Sequence, residues 1–348
     1  MTDTQQSALT LTQLGWCPFY QQQIGLEQWE YPVARVIAQY RNRLKLLSEA
    51  GEMGLDLNPS MPAITVGDWL LLTPERQFDR LLERQSLFRR KAAGSKVAEQ
   101  LIAANVDTLF VVTSLNEDFN LNRIERYLSL AYEAQSVPVV ILSKADLCND
   151  PESLRNKVQA LDSLLMVETV NCLDAEEIQR LKPWCGIGKT IALMGSSGVG
   201  KSTLINTLLG ETVQLTGEVR EDDAKGRHVT TGRSLHLIPQ GGLLLDTPGM
   251  RELQLADCDD GVNATFADIA SLAARCRFGD CQHDSEPGCT VQNAISRGEL
   301  DARRLSSWRK LIREQEFNSA TLAEKRARDK SFGKMIKAHL SDKKNRKD

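Results

Sequence analysis

The stretch Gly195–Ser202, "GSSGVGKS", is the feature that most constrains how this chain folds. It reads G-x-x-x-x-G-K-S, it follows the apolar run "TIALM", and it precedes an amphipathic segment from Thr203 to Leu209. Glycines let backbone N–H groups curl around a phosphate, and the start of a helix adds a favourable dipole. The pattern therefore predicts a strand, a phosphate-binding loop and a helix, within an α/β domain that binds a nucleotide.

The loop carries the groups that a magnesium nucleotide requires. Lys201 is placed to reach the β- and γ-phosphates, and the Ser202 hydroxyl is placed to bind Mg²⁺. The predicted nucleotide contacts are Gly195, Ser196, Ser197, Gly198, Val199, Gly200, Lys201, Ser202 and Thr203.

A second motif, "LLLDTPGM", follows downstream. It places Asp246 at the end of an apolar strand, where it can hold Mg²⁺ through water, and it places the Gly249 N–H near the γ-phosphate. The polar stretch "GEVREDDAKGRHVTTGR" lies between the two motifs and is typical of a switch loop. Thr230 or Thr231 would close on Mg²⁺ and the γ-phosphate, and the sequence leaves open which of them does.

The residue after D-x-x-G bears on catalysis. Small GTPases often place a glutamine there to orient the attacking water, whereas this chain has Met250, which cannot hydrogen-bond water. We therefore expect slow intrinsic turnover. His228, in the switch loop, is the best internal candidate to orient or deprotonate the water; the alternative is an exposed loop histidine without a catalytic role.

The base-selecting motif of GTPases, N-K-x-D, is expected after D-x-x-G but is not found there. Its nearest match lies upstream, in "VVILSKADL". Asp146 can accept hydrogen bonds from guanine N1–H and the 2-amino group, a pattern that rejects adenine, and the stem of Lys144 can cover the base. The predicted base-reading residues are Ser143, Lys144, Ala145 and Asp146.

Two features weaken this motif. Ser143 replaces the usual asparagine, and we expect the loss of an amide that ties the base-reading turn to the phosphate loop, which weakens nucleotide binding. The stretch "TVNCLD", residues 169–174, is the only candidate for a further backbone contact to the guanine oxygen.

Three cysteines and a histidine crowd together near the C-terminus as Cys276-x₄-Cys281-x-His283-x₅-Cys289. Three thiolates and one imidazole form a closed tetrahedral set, which suits one structural Zn²⁺ per chain and leaves no position for a catalytic water. The alternative is a set of reduced cysteines around a core histidine. With no export signal, we expect free thiols rather than disulfides and a cytoplasmic protein.

Changes in sequence texture divide the chain into four predicted parts. Short apolar runs between turn residues in the second part have the rhythm of a small β-barrel, and strand–helix alternation in the third predicts a mostly parallel α/β sheet. The predicted parts are an N-terminal extension (1–34), an OB-fold barrel (35–98), a nucleotide-binding domain (99–261) and a helical zinc-binding domain with a basic tail (262–348).

The order of motifs is base-reading turn, phosphate loop, switch and D-x-x-G, which is a circular permutation of the GTPase domain. With the barrel, "RKAAG" before "IAANVDTLFVV", "GRHVTT", "DTPG" and the cysteine cluster, the chain resembles the circularly permuted, small-ribosomal-subunit-dependent GTPases of the RsgA/YjeQ type. The resemblance implies an OB-fold barrel, a central permuted P-loop α/β GTPase domain and a mostly helical zinc domain with a Cys₃His knuckle. It also implies GTP hydrolysis late in the maturation of the small subunit, stimulated by that subunit.

The net charge of −3 excludes a polycation, so contacts to RNA must come from local patches. Candidates are the barrel, the cluster "LFRRKAAGSK" and the tail from Glu324, which has ten basic and four acidic residues. The expected partners are the small ribosomal subunit, its rRNA, and GTP or GDP. We expect a monomer and no membrane association, because no apolar run reaches the roughly 20 residues that a membrane-spanning helix requires.

Two other functions fit parts of the sequence. One is an ATP-using P-loop enzyme or kinase, against which Asp146 and the permuted order argue. The other is a non-catalytic or weakly catalytic RNA- or ribosome-binding nucleotide switch, which Ser143 and Met250 make conceivable. The intact Lys201, Ser202 and Asp246 argue against this loss of function.

Overall fold

A computed structural model describes residues 9–91, 99–210, 233–239, 241–247, 250, 253 and 258–319. Within these residues there are thirteen strands: β1 (Val33–Gln39), β2 (Arg43–Ser48), β3 (Gly51–Asp56), β4 (Trp69–Leu72), β5 (Phe78–Leu81), β6 (Leu87–Lys91), β7 (Glu99–Ala104), β8 (Thr108–Ser114), β9 (Val137–Ser143), β10 (Met166–Val170), β11 (Thr190–Met194), β12 (Arg233–Leu237) and β13 (Leu243–Asp246).

The same residues contain nine α-helices: α1 (Pro18–Gln21), α2 (Leu121–Glu133), α3 (Pro151–Gln159), α4 (Ala175–Ile178), α5 (Lys201–Leu209), α6 (Asp259–Thr265), α7 (Ala267–Ala273), α8 (Thr290–Ser296) and α9 (Ala302–Ser319). Three 3₁₀ turns complete the set: Leu26–Gln28, Ala145–Leu147 and Gln179–Trp184.

The predicted parallel strands form one sheet in the order β10-β9-β8-β11-β13, with β12 antiparallel beside β13. Every residue of β8 and β11 is buried, as expected of continuous apolar strands with both faces covered. Strands β8, β9 and β10 come first in the chain, and β11, which follows them, pairs with β8 on the side opposite β9. The strand before the phosphate loop therefore lies at the centre of the sheet although it comes late in the chain.

Helix α2 connects β8 to β9. Its apolar period is confirmed: Ile124, Leu128 and Ala131 are buried, and Tyr127 is half-buried. The side chain of Asn120 caps the helix by accepting from the Arg123 N–H at 3.2 Å.

Strands β1 to β5 form an antiparallel set in the order β3-β2-β1-β4-β5. Alternate residues of its strands point to opposite faces. One face holds a core of seven buried residues: Ala34, Val36, Leu44, Leu46, Ile64, Leu70 and Leu72. This set joins the parallel sheet, because Ala38 and Gln39 at the end of β1 pair with Ser234 and Arg233 of β12.

The opposite face of this antiparallel set is covered by the segment before β1. Leu14 and Tyr20 are buried there against Val33, Trp69 and Leu71. The sequence predicts only an extension here because the segment has no period; its isolated aromatic and aliphatic side chains nevertheless complete a second core.

The described residues within 90–100, 254–259 and 268–348 group as one compact unit, and those within Met1–Arg89, Leu101–Leu253 and Asp260–Ala267 group as another. The first contains α8, α9 and all of α7 except Ala267, with the cysteine cluster between α7 and α8, and the second contains the large sheet. No helix of the described residues combines the length and apolar character that a membrane crossing requires.

Candidate functional site

The phosphate loop follows β11 and ends where α5 begins at Lys201. Gly195 is required by close approach, because a Cβ there would lie 2.2 Å from the Val112 carbonyl oxygen. Gly200 is required by its backbone, which has a φ of 94°. The loop thus turns tightly between the central strand and the N-terminus of a helix, an arrangement that binds phosphate.

Lys201 lies back over this loop. Its side chain is buried, and Nζ donates to the carbonyls of Gly195, at 2.8 Å, and of Ser196. The ammonium group is therefore held by the loop that would surround the phosphates, and its contact with the β- and γ-phosphates stays a prediction.

Ser143 ends β9 and ties the base-reading turn to the phosphate loop. Its fully buried hydroxyl donates to the Val199 carbonyl oxygen at 2.6 Å, and the Thr113 carbonyl lies 3.2 Å away. The expectation that this serine loses the connection is therefore wrong. A shorter side chain suffices because the loop comes close: a Cβ on Gly200 would lie 3.9 Å from the Ser143 Cβ.

The base-reading turn continues through Lys144, which has a φ of 58°, into the 3₁₀ turn Ala145–Leu147. The Asp146 carboxylate is exposed at this turn. Its position at the carboxyl end of β9 beside the central strands is where open α/β sheets bind their ligands.

The stretch 169–174 lies beside the phosphate loop and helix α5. A Cβ on Gly200 would lie 3.8 Å from the Cys172 Sγ, and the Cys172 carbonyl accepts from the Thr207 hydroxyl of α5 at 2.8 Å. Burial raises the pKa of the Cys172 thiol to about 11, the Asp146 carboxylate adds to the rise, and Lys144 opposes it. The neighbouring Leu173 N–H donates to the Asn171 side chain at 3.0 Å.

Asp246 ends β13, which runs parallel to β11, the strand that leads into the phosphate loop. Met250 is buried, at 2% exposure. The other predicted switch residues, His228, Thr230, Thr231 and Gly249, lie outside the described residues, as does the basic tail from Glu324.

Two arginines of α2 make contacts that were not found from the sequence, and one of them touches the phosphate loop. Arg123 Nη1 donates to the Ser196 hydroxyl of the phosphate loop at 2.7 Å and to the Asp118 carboxylate at 2.6 Å. Arg126, three residues on, donates from Nη2 to the Leu253 carbonyl at 3.0 Å. Their i, i+3 spacing on the polar face of α2 is the available signal, but it does not distinguish these arginines from solvated ones.

The cysteine cluster between α7 and α8 brings four side chains together, as the sequence predicts. One potential ligand atom of each of Cys276, Cys281, His283 and Cys289 lies within 4.8 Å of the others. His283 Nδ1 is 3.5 Å from the Cys276 Sγ and 3.6 Å from the Cys289 Sγ, and these two sulfurs are 3.9 Å apart. All eight cysteines of the chain are free thiols.

Glu286 organises the loop between these ligands. Its carboxylate accepts from the N–H groups of Gln282 and Asp284, both at 2.8 Å, and of Ser285 at 3.1 Å. Its own backbone N–H and those of Gln282 and Asp284 lower its pKa to about 2. The loop therefore has an internal anchor besides its cysteines.

Comparison with known proteins points to one family. The family model described as RsgA GTPase matches residues 81–256, just over half of the chain. The ABC transporter model matches residues 180–336. That second range includes the phosphate loop but not the base-reading turn, so it reflects what many P-loop proteins share.

Among similar proteins, "Small ribosomal subunit biogenesis GTPase RsgA 2" of Vibrio parahaemolyticus is 59% identical over 97% of this chain and 94% of its own length. "Small ribosomal subunit biogenesis GTPase RsgA" of Mesorhizobium japonicum is 47% identical over 90% of this chain and 92% of its own length.

Solved structures point to the same family as the family model and the similar sequences. The crystal structure of YjeQ from Thermotoga maritima matches with a TM-score of 0.61 and 25% identity, over 82% of this chain and 98% of that one. YloQ, described as a circularly permuted GTPase, has the same fold: its TM-score is 0.57 at 20% identity, over 85% of this chain and 99% of that one.

The base-reading turn, the central phosphate loop and Asp246, found in permuted order on one sheet, define a circularly permuted P-loop GTPase. Such an enzyme hydrolyses GTP to GDP and phosphate. The chain belongs to the RsgA family of GTPases.

Proposed function

We propose that this chain hydrolyses GTP while it is bound to the small ribosomal subunit, late in the maturation of that subunit, and that the subunit stimulates turnover. The relatives' names supply the process. The observation that best supports the enzymatic part is the hydrogen bond from Ser143 to Val199, because it joins the predicted base-reading turn to the phosphate loop.

GTP would be held with Mg²⁺. Ser202 at the start of α5 and Asp246 at the end of β13, the strand that pairs with β11, offer a hydroxyl and a carboxylate, the oxygen donors that this ion prefers. When bound, the ion supplies neutralisation of charge on the β- and γ-phosphates. Lys201, already held against the loop carbonyls, would add a second cation there, and Thr230 or Thr231 would complete the site.

Positioning of the attacking water is assigned to His228. The thioether of Met250 offers no useful hydrogen bond and is buried, so another group must act. We expect His228→Ala to lower subunit-stimulated turnover far more than GTP binding.

The cluster of Cys276, Cys281, His283 and Cys289 would hold one structural Zn²⁺. Ideal tetrahedral Zn²⁺ ligands lie about 3.8 Å apart for two sulfurs and about 3.5 Å for sulfur and nitrogen, as follows from bond lengths of about 2.3 and 2.0 Å. The separations of 3.9, 3.5 and 3.6 Å fit these values. Metal analysis of the purified chain is expected to find one zinc, and substitution of Cys276 by serine should remove it.

The five strands β1 to β5 would form the OB-fold that contacts rRNA. Their antiparallel order suits a partly open five-stranded barrel. A groove of about 340 Å³ lies along this set, lined by Tyr40, Arg43, Leu44, Lys45, Glu52, Met53 and Gly54. Tyr40 is 54% exposed and could stack on a base.

The four-part division at residues 34, 98 and 261, a cytoplasmic location and a monomeric state belong to the same proposal. The basic stretch at 87–96 and the tail from Glu324 would supply further phosphate contacts.

The test is GTP hydrolysis measured with and without purified small ribosomal subunits, for the wild type, Lys201→Ala and His228→Ala. We expect slow turnover alone, strong stimulation by subunits, loss of nucleotide binding in Lys201→Ala, and loss of stimulation in His228→Ala. Absence of stimulation in the wild type would instead favour a weakly catalytic nucleotide switch.

A further inference from the structure

Ser196 of the phosphate loop contacts two cationic side chains. Its carbonyl accepts from the Lys201 Nζ, and its hydroxyl accepts from the Arg123 Nη1 at 2.7 Å. Lys201 is the side chain that reaches the β- and γ-phosphates in this motif. One residue of the phosphate loop therefore contacts both the guanidinium of Arg123 and the ammonium group that the motif assigns to the phosphates.

The ion pair of Arg123 leaves donors for another ligand. Within the described part of the chain, its hydrogen bonds to Asp118 and Ser196 all use Nη1, so the N–H groups of Nε and Nη2 are not engaged there. Asp118 uses only Oδ1, and its Oδ2 is buried without a hydrogen-bond partner in the described residues. This is a single bridge rather than the two-bond fork that holds an arginine firmly.

GTP hydrolysis is accelerated by a cationic group that stabilises the charge on the phosphates. During hydrolysis the bond from the γ-phosphorus to the β–γ bridging oxygen breaks and its electron pair stays on GDP. The water oxygen bonds to the phosphorus, and its proton ends on the released phosphate or in solvent. Negative charge moves toward the β–γ bridging oxygen, and an arginine supplied by the same chain is one known way to stabilise this charge in P-loop GTPases.

We propose that Arg123 is a catalytic residue that donates to the γ-phosphate or the β–γ bridging oxygen in the transition state, with Ser196 positioning its guanidinium and Asp118 holding it between turnovers. This inference rests on the proposed GTP hydrolysis. The arginine contributes charge and hydrogen bonds only, and no atom of it enters the products.

The test compares full-length Arg123→Ala, Arg123→Lys and Asp118→Asn with the wild type, and uses Arg155→Ala in α3 as a matched loss of one arginine elsewhere. Turnover is measured at saturating GTP with small subunits. GTP and GDP affinities, thermal unfolding, and formation of the GDP–aluminium fluoride complex, which mimics the transferring phosphoryl group, are measured on the same samples.

For Arg123→Ala we expect turnover to fall at least ~100-fold, the aluminium fluoride complex to be lost, and GTP affinity to change by less than about threefold. Arg123→Lys should recover only part of the rate, because a lysine ammonium lacks the planar fork. Asp118→Asn should raise turnover, since it releases the arginine, and Arg155→Ala should match the wild type.

A purely structural ion pair predicts the opposite pattern. Equal losses of turnover and thermal stability in Arg123→Ala and Asp118→Asn would overturn the proposal, and so would an Arg123→Ala enzyme that turns over at the wild-type rate. A wild type that hydrolyses no GTP with subunits would overturn the proposed function as well, so the two failures are distinguishable.

Discussion

Ser143 is fully buried at the end of β9, and its hydroxyl donates to the phosphate loop at Val199. The serine hydroxyl has one proton, and the 2.6 Å contact to Val199 is shorter than the 3.2 Å contact to Thr113. At the scale of the residue, the serine that replaces the usual asparagine of the motif therefore still connects the base-reading turn to the phosphate loop.

We expect Ser143→Ala to weaken GDP binding about 5- to 10-fold, because a neutral hydrogen bond contributes about 1 kcal/mol and its loss leaves a buried carbonyl unsatisfied. Fluorescence titration with a labelled GDP measures this. Ser163→Ala, at an exposed position near β10, is the control and should bind as the wild type does. Tighter binding by Ser143→Asn would contradict the account and restore the idea of a missing amide.

At the scale of the elements, a buried arginine joins three segments. The Arg35 side chain on β1 donates to the carbonyls of Leu14 at 2.5 Å, Asn105 at 3.0 Å and Gly67 at 3.3 Å. It lies 5.7 Å from the centroid of the Trp69 ring, and burial lowers its pKa. The segment before β1, the antiparallel set and the turn before β8 therefore all contact one cation. Its N–H groups donate to backbone carbonyl oxygens.

We expect Arg35→Met to lower the free energy of unfolding by about 2–5 kcal/mol, because the carbonyls of Leu14 and Asn105 lose this donor while the methionine keeps much of the packing. Urea denaturation measures the change. Arg41→Met, at an exposed position after β1, should stay within about 0.5 kcal/mol of the wild type. Equal stability of both variants would show that Arg35 does not hold these segments together.

At the scale of the whole molecule, the features that could be predicted from the sequence are those that short, local motifs determine. The loop 195–202, the turn 143–146 and the cysteine cluster each combine a short motif with a strand or turn signal, and the structure has the strands that these motifs require. The cluster could be predicted because all of its ligands lie within fourteen residues.

The contacts that the sequence does not predict join residues that lie far apart in the chain. The partners of Arg35 are carbonyl groups, which every residue has, so no pattern marks them. The pairing of β1 with β12 joins positions about 195 residues apart, and β12 has one buried residue, Leu235, in a weak alternation. The contact of Arg123 with Ser196 likewise spans 73 residues.

The proposed guanine-nucleotide site combines a turn at 143–146 with a loop at 195–202, which follow one another in the chain in the reverse of the order found in other GTPases. The most direct measurement is the affinity of Asp146→Asn for GDP and for xanthosine diphosphate, whose base has a carbonyl where guanine has its 2-amino group. The control is Glu152→Gln, which removes a nearby exposed charge on α3.

We expect Asp146→Asn to bind GDP at least ~100-fold more weakly, because donors of the base then face a donor of the amide, and to gain affinity for xanthosine diphosphate. Glu152→Gln should keep the wild-type preference. An Asp146→Asn chain that binds GDP as tightly as the wild type would contradict the account, because residues 143–146 would then not read the base.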